Sequence, residues 1–377
     1  MAEYRIFSRN PDLNKNAEIT DFSTLEFVSR FNLAGRWKMS GVGQPPFALN
    51  SGIIVERDGQ TVFTGIVRKA EKRMDAESFI KKSWTFAGVD DLARIAERAA
   101  HPDPVNLTIS AQANDVRTGT AEAVILAYVN ANCGQTAHVS RRFTGFQVAS
   151  SLNRGTTITG SARFYNLLDF IYNLARLSDD IGYRVRLDQA TNTLVFEAYA
   201  PVDHSANVIF STEFGNLSSF VYMFEAPAAN AIFCLGQGTG TSRAYYAGQD
   251  ASSVTYWGRI ETVKDQRNEP DAAKLPDWAD AELAKAGEQH GFSVSPLALG
   301  SVGFVYSLDY NLGDYVTVAD DGIALSERVT EIRVSLDENG EETITPTIGM
   351  LKDIPLKDTF EAIEDLEDRV GNLEASQ

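Results

Sequence analysis

Over the first ninety residues, apolar and polar positions alternate in short runs that read as strands. Phe22–Phe31 (FSTLEFVSRF) is rich in aromatic and β-branched residues, and Gly35–Val42 (GRWKMSGV) follows it. Gly52–Val55 and Thr61–Val67 flank Asp58-Gly59, a dipeptide that supplies the positive φ of a tight hairpin turn. Phe79–Val89 completes a meander resembling a small barrel or sandwich. The spacing then changes to 3.6. Asp90 or Asp91 is placed to N-cap a helix facing inward through Leu92, Ile95, Ala96 and Ala99, stopped by His101-Pro102. Thr118 or Thr120 starts a second, with Val124, Ile125, Tyr128 and Val129 inward and Gly134 as C-cap. Ser161 precedes the strongest, in which Phe164, Leu167, Leu168, Ile171, Leu174 and Ala175 recur at helical spacing up to about Gly182.

Strands return with Tyr183–Leu187 and Thr193–Tyr199, joined by a turn containing Asn192, then Val208–Ser211, Ser218–Phe224 and Ala231–Leu235. A polar helical insert runs from Glu269-Pro270 to Gly291, and Phe304–Leu308, Tyr315–Val318, Val329–Leu336 and Thr343–Ile348 resume the strand pattern. The expected fold is α+β and mostly β. It comprises a first β-barrel or sandwich (1–89), a helix-rich insert domain (90–200), a second β-rich domain (201–351) with a helical insert near 269–291, and a C-terminal coiled coil (352–377). No short solenoid-type repeat is evident.

The coil follows from a heptad. Leu356, Ile363 and Val370 occupy position a, and Thr359, Leu366 and Leu373 position d, among mostly acidic neighbours. Phe360 at e widens the apolar seam, and Arg369 at g faces Glu374 at e of a parallel partner. These nine residues form the candidate oligomer interface. Three heptads are marginal alone, so they extend an oligomer held elsewhere. Ile and Val at a with Leu at d favour a dimer, whereas Phe360 favours three chains.

Composition narrows the function. The chain has 377 residues with 44% apolar and 23% charged, as in folded proteins. No apolar run is long enough to span a membrane, and the N-terminus MAEYRIFSRN lacks the pattern of a secretory signal. A net charge of −17 opposes a nucleic-acid footprint. It suits solubility, or a path that DNA traverses without sticking. Cys133 and Cys234 have no ligand-spaced neighbours and read as buried thiols. Asp203-His204-Ser205 has the residue types of a hydrolase triad, but adjacent residues cannot converge as a relay, so a turn is expected. Gly236–Gly240 lacks the P-loop lysine and reads as a hairpin loop. Asp90-Asp91, Asp179-Asp180 and Asp320-Asp321 read as caps, termini or turns, and His101, His138, His204 and His290 lack metal-ligand spacing. No catalytic, cofactor or metal site is expected, and the chain is read as a non-enzyme.

Several stretches together resemble the ReqiPepy-type family of siphophage tail proteins. They are GRWKM (35–39), GII (52–54), GVDDLARIAERAAHPDP (88–104), RTGTAEAVILAYVNAN (117–132), FGNLSSFVY (214–222), APAANAIFCLGQG (226–238), YWGRIETVKDQR (256–267) and LGDYVTV (312–318). The resemblance implies a structural hub at the virion tail tip or baseplate, synthesised in the host cytoplasm. Two tube-protein-like barrels per chain would let a homotrimer present pseudo-sixfold symmetry. The implied partners are distal tail-tube ring proteins, the tape measure protein and a downstream tip or fibre subunit, with DNA passing through the channel unbound. The sequence stops after the coil, so a lytic activity is expected of another subunit. The alternative, a receptor- or carbohydrate-binding tail protein, needs an aromatic platform, for which Tyr245, Tyr246, Tyr256 and Trp257 are the dense cluster.

Overall fold

Tight turns with positive φ set the strand registers. Asn32 (φ 58°) reverses the chain between β3 (Thr24–Arg30) and β4 (Leu33–Val42), and Asp58-Gly59 (φ 51° and 78°) does so between β5 (Gly52–Arg57) and β6 (Gln60–Met74). The computed structural model describes residues 3–74, 82–109, 112–178, 181–267, 269, 271–296, 303–320 and 322–349. The predicted coil, from 352 onward, lies outside them, as do Asp179, Asp180 and Asp321.

β1 (Tyr4–Arg9), β2 (Lys15–Glu18) and β7 (Lys82–Asp90) complete the N-terminal block. The segment after it holds β8 (Ala99–Ala100), β9 (Asp115–Thr120), α1 (Ala121–Cys133), β10 (Phe146–Val148), β11 (Thr157–Ala162), β12 (Tyr165–Asn166), α2 (Leu167–Arg176), β13 (Gly182–Asp188) and β14 (Thr193–Tyr199). The C-terminal block has β15 (Ile209–Ser211), β16 (Leu217–Glu225), β17 (Ala231–Leu235), β18 (Tyr245–Gln249), α3 (Ala251–Trp257), β19 (Glu261–Asp265), α4 (Leu275–Ala286), β20 (Gln289–Pro296), β21 (Tyr315–Asp320), β22 (Ile323–Leu336) and β23 (Glu342–Gly349).

The two β-rich blocks form one sheet, in the order β16-β20-β23-β22-β3-β4-β7-β6-β5-β1-β2, with β15 and β21 branching from β22. They also share one core, in which Leu25, Trp37, Ile53 and Trp84 from the first block join Phe210, Phe292, Val316 and Val334 from the second. The two expected barrel or sandwich blocks are, in the structure, parts of one continuous sheet with a shared core. The 90–200 segment has its own core around α1 and α2, which takes in Phe7, Leu13, Ile54 and Val89 from the N-terminal block. A small third core (Ile232, Cys234, Leu275, Ala279) lies between α4 and the β18-β17-β19 sheet.

Several boundaries differ from the sequence reading. The segment capped by Asp90 is a short 3-10 helix, Asp91–Glu97, and Ala99 enters β8 with its side chain exposed. Ser161 lies within β11; α2 starts at Leu167, where the Asn166 side chain accepts from the amides of Leu168 and Asp169. Phe164, at φ 58°, is 51% exposed and does not join that helix face. Phe304–Leu308 is not a strand: irregular chain at Phe304 and Val305 leads into a turn from Ser307, closed by one bridge from Tyr306 to Tyr310. The insert in the C-terminal block is larger than 269–291 and is mixed α/β. β16 pairs directly with β20 from Leu217↔Pro296 to Glu225↔Gln289, so residues 226–288 fill the end of one hairpin.

Asp90 joins the N-terminal block to the insert. Its carboxylate accepts from the amides of Gly35 (2.8 Å) and Ala93 (3.2 Å). Burial, reinforced by the neighbouring Asp91, pushes its pKa up to about 7. A carboxyl group with a raised folded-state pKa binds its proton more tightly when folded, so stability falls as pH rises from about 4 to about 7. The urea midpoint is expected to be higher near pH 5 than near pH 8, and Asp90→Asn to flatten that slope. An unchanged slope in the variant would refute the assignment.

Candidate assembly site

The two blocks repeat one strand plan. The first pairs β3 with β4, β4 with β7, β7 with β6 and β6 with β5. The second pairs β16 with β20, β20 with β23, β23 with β22 and β22 with β21, in the same chain order and all antiparallel. Each block has one long strand, β6 or β22, which forms a hairpin with one neighbour along its first half and with another along its second.

The blocks meet where the second half of β22 pairs with β3, from Glu331↔Arg30 to Leu336↔Leu25. Arg30 Nε donates to Glu331 Oε2 at 2.9 Å, with side-chain exposures of 5% and 17%. Leu25, Phe27, Val334 and Leu336 close the core beneath this junction. The counterparts of the two joined strands are the second half of β6 and the whole of β16. Among the described residues, β6 beyond Val67 pairs only with β7, and β16 pairs only with β20. Val221 is 61% exposed and Phe224 47% exposed on β16. A long apolar strand open at a sheet edge invites another strand.

The sheet face opposite the core is polar. It presents Thr24 and Ser40, whose hydroxyls lie 2.7 Å apart, together with Thr85, Thr345 and Thr347 at positions alternating with the core residues. Arg30, Arg36, Lys38, Lys69, Arg73 and Arg333 share this face with Glu26, Glu71, Glu225 and Glu331, so it carries no excess of acid. The chain's negative charge resides elsewhere.

The other sequence candidates resolve simply. Asp203 accepts from the Ser205 amide at 2.9 Å in a turn, and His204 lies 3.7 Å from Asp314. Gly236–Gly240 belongs to the loop joining β17 to β18, and Asp320 ends β21. Both cysteines are buried, and burial pushes the Cys133 thiol up to about 12. Among the described residues, no group of three His, Cys, Asp or Glu side chains is arranged to hold a metal. No helix among them is long and apolar enough to cross a membrane. Tyr245 and Tyr246 lie on β18, whereas Tyr256 and Trp257 end helix α3. The Trp257 indole stacks on Phe224 and donates to Glu288 at 2.8 Å, so the cluster is not a flat open platform. The nine coil residues, Leu356 to Glu374, lie outside the described residues. The open edges of β6 and β16 were missed in the sequence, although SSFVYMFE at 218–225 has the composition of a strand needing cover on both faces.

Comparison with known proteins matches residues 3–350 to the family model of Siphovirus ReqiPepy6 Gp37-like proteins. The chain belongs to this family of siphovirus tail proteins, and its place is the virion tail. Its fold is similar to that of a tail protein from Neisseria meningitidis MC58 (16% identity, TM-score 0.57, covering 92% of this chain and 96% of that one). It is likewise similar to the 43 kDa tail protein of prophage MuSo2 from Shewanella oneidensis (11%, TM-score 0.59, 92% and 98%). A third is prophage tail protein gp18 from Listeria monocytogenes EGD-e (13%, TM-score 0.53, 96% and 99%). No curated protein sequence matches the chain.

Proposed function

We propose that this chain is the structural hub of the tail tip, three copies closing into a ring at the distal end of the tail tube and acting without a catalytic step. One observation carries this reading: the chain repeats a strand unit, joins the two units through β22 and β3, and leaves the counterparts of those two strands open. A head-to-tail contact that repeats an internal junction generates a ring when its rotation closes. Three chains would present six such units, which matches the pseudo-sixfold stoichiometry implied by the sequence resemblance. The ring would meet tail-tube ring proteins on one side and a tip or fibre subunit on the other, around a channel for DNA and the tape measure. The hydroxyl-rich sheet face would line that channel, giving it a polar wall of mixed charge with basic side chains slightly in excess, rather than an acidic one. The heptads of 352–377 would run along the axis and keep the copies in register.

Sedimentation of the full chain at micromolar concentration is expected to give the mass of three chains. A version ending at Asp353 is expected to keep that mass with weaker association, because the sheet edges carry the main contact. A full-length chain that stays monomeric would overturn the proposal.

A further inference from the structure

The two units align residue by residue. A row of opposed residues across the first unit reads Phe27, Trp37, Gly88 and Val67. The same row across the second reads Tyr222, Phe292, Ile348 and Val329. Immediately after that row both long strands slip by one residue, β6 between Val67 and Lys69 and β22 between Val329 and Glu331. Both also leave their other hairpin partner one residue before it, at Ile66 and Arg328. Lys69 is therefore the counterpart of Glu331. Counting three residues on from Phe27 and Tyr222 makes Glu225 the counterpart of Arg30.

We infer that, in the ring on which this inference rests, the second half of β6 pairs antiparallel with β16 of the next copy, in the register that sets Lys69 opposite Glu225. Within one chain those two positions hold the ion pair of Glu331 and Arg30. Between chains the same positions hold an ion pair with its signs exchanged. In this register Ala70 opposes Phe224 and Lys72 opposes Tyr222, so the stem of Lys72 covers a ring that already packs on Phe292.

The exchange of signs also selects the partner. Had β6 of one copy docked on β3 of another, Lys69 would oppose Arg30. Had β22 docked on β16, Glu331 would oppose Glu225. Both wrong closures place like charges directly opposite, whereas the internal junction and the proposed one each match acid to base. The occupant of each open edge is thus a second copy of this chain, oriented head to tail.

Paired cysteines test the register in the full chain. Lys69→Cys combined with Glu225→Cys is expected to give, on oxidation, a covalent ladder ending at the ring. Lys69→Cys combined with Val221→Cys, four residues out of register, is expected to give none. Charge reversal supplies a second readout. Lys69→Glu and Glu225→Lys are each expected to raise the concentration for half-assembly by about tenfold, and the two together to restore it. A ring that forms without the 69–225 cross-link, or without rescue by the double exchange, would refute this register and leave the ring itself standing. A chain that is monomeric in every variant and in its native form would remove both.

Discussion

Asp91→Ala is expected to lower unfolding stability by about 3–5 kcal/mol, the cost of leaving a buried charge without its partner. Asp91 and Arg9 are 1% and 2% exposed where the N-terminal block meets the 90–200 segment. One carboxylate oxygen accepts from Arg9 Nη2, and the other accepts from the Thr64 hydroxyl at 2.6 Å. The guanidinium also donates to the Gly65 carbonyl at 3.1 Å, while its Nη1 is buried without a hydrogen-bond partner among the described residues. Gly52 makes room for it, since a Cβ there would sit 2.4 Å from Arg9 Nε. Removing the acid strands a cation that has no route to water. Arg9→Met combined with Asp91→Leu removes both charges and should cost less than Asp91→Ala alone. Urea unfolding of the native chain, Arg9→Met, Asp91→Leu and their combination, with Asp91→Ala beside them, checks this; additive losses in the cycle would show that the pair is not coupled.

Asn32→Ala is the second large effect, expected at about 3 kcal/mol and centred on the insert. The Asn32 side chain donates to the Ile181 carbonyl (2.9 Å) and accepts from the Tyr183 amide (2.8 Å), and its backbone carbonyl accepts from the Tyr183 hydroxyl (2.6 Å). The residue is 4% exposed and holds φ 58°, a conformation that asparagine tolerates better than alanine. Its replacement orphans an amide and a carbonyl at the start of β13 and strains the β3–β4 turn. Limited proteolysis should then cut first around residues 150–185, before the main sheet opens. Cleavage spread evenly over the chain would contradict that local reading.

Strand existence was legible in the sequence because alternation survives wherever one face is buried, as in Leu25, Phe27, Trp37 and Met39. α1 was legible from its caps, with Thr120 before it and Gly134 after it. The start of α2 was not. Phe164 and Ser161 extend the helical spacing by chance, and the Asn166 cap that overrides them is a single polar residue inside an apolar run. The repeat was hidden for a different reason: a core requires volume and face, not identity. Trp37 and Gly88 in one unit become Phe292 and Ile348 in the other, an exchange of bulk across one row that leaves only its valine, Val67 or Val329, in common. The proposed assembly edge was hidden because the open half of β6 is defined by what, among the described residues, fails to pair with it. In the small α/β module at 226–288, the strand Ala231–Leu235 and a helical insert near 269–291 were legible but their union in one unit was not, since its strands are short and separated by loops of polar residues.

That module enters and leaves the sheet at a single place. Glu225 pairs with Gln289, and the amides of Ala228 and Ala229 both reach the Ala286 carbonyl, so its two ends are pinned side by side. Its core of Ile232, Cys234, Leu275 and Ala279 draws nothing from the shared one. Such a segment is a cartridge: lengthening, shortening or exchanging it costs little in loop closure and leaves every strand of the main sheet in place. In the hub role proposed above, that would be a port through which the tail could be refitted to a new neighbour while the main sheet is inherited unchanged.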